Sequence, residues 1–134
     1  MLWAGIMKHL LIQFVLSVVA FFAIDIVWIT GVVKPLYMHY IPNLIRPMPY
    51  IPAAGLFYFL FLIGLCYFSI WPNYPLLKTI GYGSAYGLFT YATYTLTNHA
   101  VLREWHWVLS ISDCAWGLFL GGFVAGITRL LYTP

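Results

Sequence analysis

Asp25-Ile26-Val27-Trp28 and Asp113-Cys114-Ala115-Trp116 share one spacing, Asp-x-x-Trp, in two apolar runs near opposite ends of the chain. Each places a carboxylate one helical turn from an indole N–H. Such a carboxylate can accept hydrogen bonds, carry a proton or form half of a cation site. Inside a hydrocarbon-length run it costs roughly 2.5–3.5 kcal/mol on insertion scales, so it is expected to face a protein interior and, by default, to mark an ion, proton or ligand path. The structural alternative is a polar clamp, in which each carboxylate accepts from Trp, Thr or Asn and pins helix packing.

Other uses of these residues fit less well. An aspartyl-protease-like dyad would need two carboxylates sharing a proton, and no supporting Gly-rich motif accompanies them. A metal could draw on Asp25, His99 and Asp113, yet no i, i+3 or i, i+4 ligand pair lies within one helix, as carboxylate and His sites in bundles usually require. Bis-histidine haem ligation would need facing histidines, but His39, His99 and His106 fall in connectors and His9 lies at the other end. No metal and no cofactor is therefore expected.

The elements that must position the two aspartates follow from composition. The chain has 134 residues, 63% hydrophobic and only 7% charged, with a mean hydropathy of +0.91. A soluble domain carries about 25% charged residues, so this chain cannot cover a water-facing surface and its solvent is lipid. The net charge of +3 comes from scattered residues rather than a basic run, which excludes nucleic acid as a partner. Cys66 and Cys114 fall in apolar segments, in opposite halves of the membrane, and are read as buried thiols.

The expected fold is all-α and integral to the membrane. A single domain over residues 1–134 has four transmembrane helices at about 8–33, 53–71, 77–98 and 107–131, in an antiparallel bundle with both termini on one side. Gly31 and then Lys34-Pro35 are read as ending the first helix. Five prolines between residues 34 and 52 forbid one continuous helix there, and Tyr37, Tyr40, Tyr50, His39, Lys34 and Arg46 suit the headgroup layer. That interval is read as a short interfacial helix near Leu36–Tyr40 followed by a loop, either a connector or a lid. Gly83-x-x-x-Gly87, Gly117-x-x-x-Gly121 and Gly122-x-x-x-Gly126 let helix backbones approach closely, within one chain or across a dimer. Asp113 is four residues from Gly117, so it belongs to the close-packing stripe.

Rise per residue puts Asp25 roughly 6 Å and Asp113 roughly 7 Å from the bilayer centre. Late in the first helix and early in the last is the same side, where Asn98 also ends the third helix. A pocket lined by Asp25, Trp28, Asn98, Asp113 and Trp116, opening toward residues 34–52, is expected. Tyr91, Tyr94 and His99 complete the candidate ligand-binding set. Basic residues divide evenly, Lys8, Lys78 and Arg129 against Lys34, Arg46 and Arg103, a tie under the positive-inside rule. Lys8 precedes the first helix to insert and Arg103 adjoins Glu104, so cytoplasmic termini are expected.

The chain resembles, nearly end to end, an uncharacterised family of small bacterial membrane proteins, domain of unknown function 2177. Asp25-x-x-Trp28, Phe57-Tyr58, Gly87-Leu88-Phe89, Tyr91-Ala92-Thr93-Tyr94, Leu96-Thr97-Asn98, Trp105 and Asp113-x-x-Trp116-Gly117 carry the resemblance. It implies a bacterial inner-membrane location and no activity. The position of Thr95 is often an aspartate in that family, which bears on any mechanism exchanging a proton there, and His99 is atypical for its place.

Three functions remain. The first is a pocket that binds or transports a small amphipathic molecule, a lipid headgroup or a cation, with a homodimer needed for translocation. The second is a non-catalytic accessory subunit of a larger membrane complex, in which the aspartates are structural. The third is a lipid-modifying enzyme with one aspartate as general acid or base. Neither nucleophile nor cofactor motif supports the third, so the balance leans away from an enzyme.

Overall fold

The computed structural model describes all 134 residues, and every regular element is helical. Helix α1 (Leu2–Trp28) passes through a π-helical turn (Ile29–Val33) into α2 (Lys34–Tyr40). A 3-10 turn (Pro42–Leu44) leads to α3 (Ile51–Leu65), which ends in a second π-helical turn (Cys66–Ile70). Helices α4 (Leu76–Val101) and α5 (Trp107–Leu131) complete the chain.

The first helix does not stop at Gly31 or Lys34-Pro35, as its sequence suggests, but continues to Tyr40. Pro35, which has no N–H to give, stands inside this continuous run. The π-helical turn ahead of it supplies the local widening with which helices accommodate such a residue. Gly31 is exposed, with open space where a Cβ would stand, and carries no cap or turn. Pro52 sits in the first turn of α3.

Helix α1 has the polarity of a lipid-facing element. Its buried residues, Gln13, Ser17, Phe21 and Asp25, recur every fourth position, and all but Phe21 are polar. Leu11, Val15, Val19, Ile26 and Val27 are exposed. In hydrocarbon the apolar face turns outward and polar groups must be matched inside. Three stretches are long and apolar enough to cross a membrane: Leu2–Tyr40 (39 residues), Ile51–Ile70 (20) and Trp107–Leu131 (25). At 1.5 Å per residue the first is about 58 Å long, against a hydrocarbon core of about 30 Å. Its C-terminal end, α2, packs through Leu36, Tyr37 and Tyr40 on a small cluster of Ile41, Trp105 and Leu109 beside the α4–α5 turn.

Helix α4 is the less apolar long helix. Its threonines meet much of their own cost: Thr90, Thr93 and Thr97 donate to the carbonyls of Tyr86, Phe89 and Thr93, at 2.9, 2.6 and 2.6 Å. It packs on α5 backbone to backbone. A Cβ at Gly83 would lie 2.5 Å from the Gly121 carbonyl oxygen, and one at Gly87 would meet the carbonyl of Gly117. Residues rising in number along α4 face residues falling along α5. Gly122 and Gly126 also lie against α4, at Ser84 and Ile80, so all three glycine patterns serve contacts within the chain. The main core sits between these helices and α1 and α3, around Phe21, Phe61, Leu65, Leu120 and Val124. Cys66 is buried beside Ser17 (Oγ to Sγ 3.4 Å), whereas Cys114 is only half-buried.

Helix α1 also faces α5 in a fixed register. His9 bonds Tyr132 and Asp25 bonds Trp116, so Gln13 comes level with Thr128. Both are fully buried, and neither Gln13 Nε2 nor Thr128 Oγ1 has a hydrogen-bond partner. Two outcomes are expected in thermal unfolding of the detergent-solubilised protein. Gly121→Ala lowers stability by about 1–3 kcal/mol through overpacking, while Gly81→Ala, at an open position, is neutral or gains up to about 1 kcal/mol of helix propensity. Thr128→Val, which removes an unbonded hydroxyl at constant shape, is neutral or stabilising; a clear loss would mean that the hydroxyl is bonded.

Candidate functional site

The two Asp-x-x-Trp pairs interlock between helices instead of closing within them. The indole N–H of Trp116, on α5, donates to Asp25 Oδ1, on α1, at 3.1 Å. Trp28, one turn beyond Asp25, stacks on Trp116 with ring centroids 4.4 Å apart and planes 1° from parallel. Helical geometry permits this because i and i+3 share a face, so each pair presents its acid and indole together. Asp25 and Asp113 are 3% and 4% exposed.

Asp113 has a different partner. Its Oδ2 accepts the hydroxyl of Tyr37, on α2, at 2.7 Å. Tyr37 in turn sets its ring edge-on to Trp105, with centroids 5.6 Å apart. Tyr37 lies three i+4 steps from Asp25, through Ile29 and Val33. It therefore continues the inward stripe that begins at Gln13, and it does so only because the helix runs through Pro35.

These groups line a cavity of about 530 Å³. Asp25, Trp28, Ile29, Val33 and Tyr37 form the wall of the first helix. Ala53, Ala54, Phe57 and Tyr58 form that of α3, Thr90, Tyr91 and Tyr94 that of α4, and Asp113 and Trp116 that of α5. Eleven of the fourteen lining residues are hydrophobic, and none is Lys, Arg or His. Three of the lining residues, Ala53, Phe57 and Tyr94, are exposed. Asp25 Oδ1 holds the Trp116 indole, while Oδ2 meets no donor from the chain.

Of the candidate ligand-binding residues, Asp25, Trp28, Tyr91, Tyr94, Asp113 and Trp116 come together on this cavity. Asn98 and His99 do not. The contacts of Thr95 and His99 with Ser110 set α4 against α5 at that end, so Asn98 lies level with the start of α5, about a turn beyond Asp113. His99 Nδ1 is bonded to Ser110 Oγ at 2.9 Å, and its ring lies against Trp107. Ser110 also accepts the Trp105 indole N–H at 3.1 Å. That polar knot closes the helix pair and does not open on the cavity. Residue order alone does not mark Tyr37, Phe57 and Tyr58 as wall residues. The fourfold stripe from Gln13 to Tyr37 was the available signal for Tyr37; Phe57 and Tyr58 sit in an aromatic-rich helix whose sequence does not single out an inward face.

The Tyr37–Asp113 bond yields a direct test. Tyr37→Phe leaves a buried carboxylate oxygen without its donor and is expected to cost about 1–3 kcal/mol, read as a lowered unfolding midpoint. Tyr82→Phe, on an exposed residue of α4, is the control and should leave the midpoint unchanged.

No curated protein and no solved structure matches the chain. A family model does, over residues 10–130, a span that contains both Asp-x-x-Trp pairs and every residue lining the cavity. The chain thus belongs to the family described as Predicted membrane protein (DUF2177).

Proposed function

We propose that this protein is an intramembrane binding module, for binding or transport, whose cavity takes a small amphipathic molecule. The observation that carries the proposal is the composition of the cavity wall. Two buried carboxylates stand among aromatic and aliphatic side chains in a space of about 530 Å³. Ligand sites are typically apolar clefts of roughly 300–1,000 Å³ with a few placed polar groups. A clamp needs only the hydrogen bonds; it does not need the open volume beside them.

In this proposal four helices cross the membrane as an antiparallel bundle, α4 being the fourth. The threonine hydroxyls returned to their own backbone and the glycine contact with α5 support its burial in the bilayer. The bond between His9 and Tyr132 supports termini on one side. Lys8, ahead of the first span, favours a cytoplasmic side for them in a bacterial inner membrane. Exposure of the lining residues Ala53, Phe57 and Tyr94 favours entry from the lipid, so the ligand would reach the carboxylates from the bilayer.

The test fills the cavity without touching either aspartate. Native mass spectrometry of the protein extracted in mild detergent should show a retained amphiphile on the unsubstituted chain. Ala54→Trp, which projects an indole into the space, should abolish that adduct while the protein stays folded. Retention of the same adduct at the same occupancy in Ala54→Trp would count against the cavity as the binding site.

A further inference from the structure

Given the binding role proposed above, on which this inference rests, we infer that the cavity selects an organic ammonium group, presented either by a free alkylamine or by a lipid headgroup. The selectivity follows from what faces the space. Apart from tyrosine hydroxyls, Asp25 and Asp113 are the only ionisable side chains on the wall, and both are acids. No Lys, Arg or His lies there to offset them. An anionic ligand would find no counter-charge on this wall, whereas an ammonium can pair with either acid as its carboxylate.

The hydrogen bonds already present sharpen this. Each aspartate is held by a neutral donor, the Trp116 indole or the Tyr37 hydroxyl. Such donors orient a carboxylate without cancelling its charge. Asp25 Oδ2 takes no donor from the chain, so it remains an acceptor for a ligand N–H or for the positive edge of a methylated ammonium.

The walls separate an organic cation from an inorganic one. A hard cation such as Ca²⁺ asks for six to eight oxygen ligands, and eleven of the fourteen residues here are hydrophobic. Aromatic faces, by contrast, attract ammonium groups through the ring quadrupole, most strongly where water is excluded. Trp28, Tyr58, Tyr91 and Trp116 supply such rings beside Asp25, and the Trp28–Trp116 stack holds two of them rigid. Alkyl substituents on the nitrogen would then contact Ile29, Val33, Ala54 and Phe57.

The experiment titrates the full chain, in maltoside micelles free of ammonium lipids, with octyltrimethylammonium, octanol and octanoate, following tryptophan fluorescence. The ammonium should saturate at about tenfold lower concentration than octanol, with octanoate weaker still. Asp25→Asn and Asp113→Asn should each erase the difference between ammonium and alcohol. The three-probe comparison on the unsubstituted chain stands even if a variant fails to fold. Equal affinity for octanol and the ammonium, with binding still lost in Ala54→Trp, overturns the ammonium inference and leaves the cavity proposal intact. Absence of any saturable change with all three probes overturns both.

A second arm identifies the source. The protein is reconstituted in nanodiscs of phosphatidylglycerol alone or mixed equally with phosphatidylethanolamine. Weaker octyltrimethylammonium binding in the mixed discs identifies the headgroup as occupant. Equal binding in both identifies a free amine. Either outcome supports ammonium recognition.

Discussion

A carboxylate in hydrocarbon must be matched from within the protein, because lipid offers nothing to bond it. Asp25 meets that demand through Trp116, ninety-one residues later in the chain. Much of the architecture can be traced from that contact. It fixes the register of the first long helix on the last, which carries through to His9 and Tyr132 at the other end. It holds Trp116 where Trp28 can stack on it. It also sets an acid on the cavity wall that the first helix forms.

The opposite wall depends on a different device. Glycines at 83, 87, 117 and 121 remove the side chains between α4 and α5, so their backbones touch. Bulk is then concentrated in the aromatic residues along the rest of each helix. Tyr91 illustrates the division, since its Cβ lies against Gly117 while its ring faces the cavity. Close approach on one side of α4 and open volume on the other are complementary results of the same spacing.

Some of this was legible from residue order. The apolar composition and the glycine spacings pointed to lipid-embedded helices in close contact, and the paired Asp-x-x-Trp motifs marked where polar groups of the first and last helices would meet. Other parts were not. Gly31 and Lys34-Pro35 looked like a helix end, because a proline is judged by the bond it cannot make; a π-helical turn just before it changes that judgement. Misplacing that boundary also hid Tyr37, which looked like an interfacial anchor but is the partner of Asp113. Depth along the helix alone puts Asn98 and His99 with the aspartates. Depth says nothing of which neighbour a side chain meets, and His99 meets Ser110.

The inward stripe of α1 also bears on how the protein is made. Gln13 and Asp25 emerge from the ribosome long before α5, whose Thr128 and Trp116 come level with them in the finished fold. At about 5–20 residues per second, the ninety-one residues between Asp25 and Trp116 take about 5–18 s to synthesise. During that interval the nascent first span presents an unmatched acid. It must wait in the insertion machinery, hold its carboxylate near water, or borrow a partner from another membrane protein until its own last helix arrives.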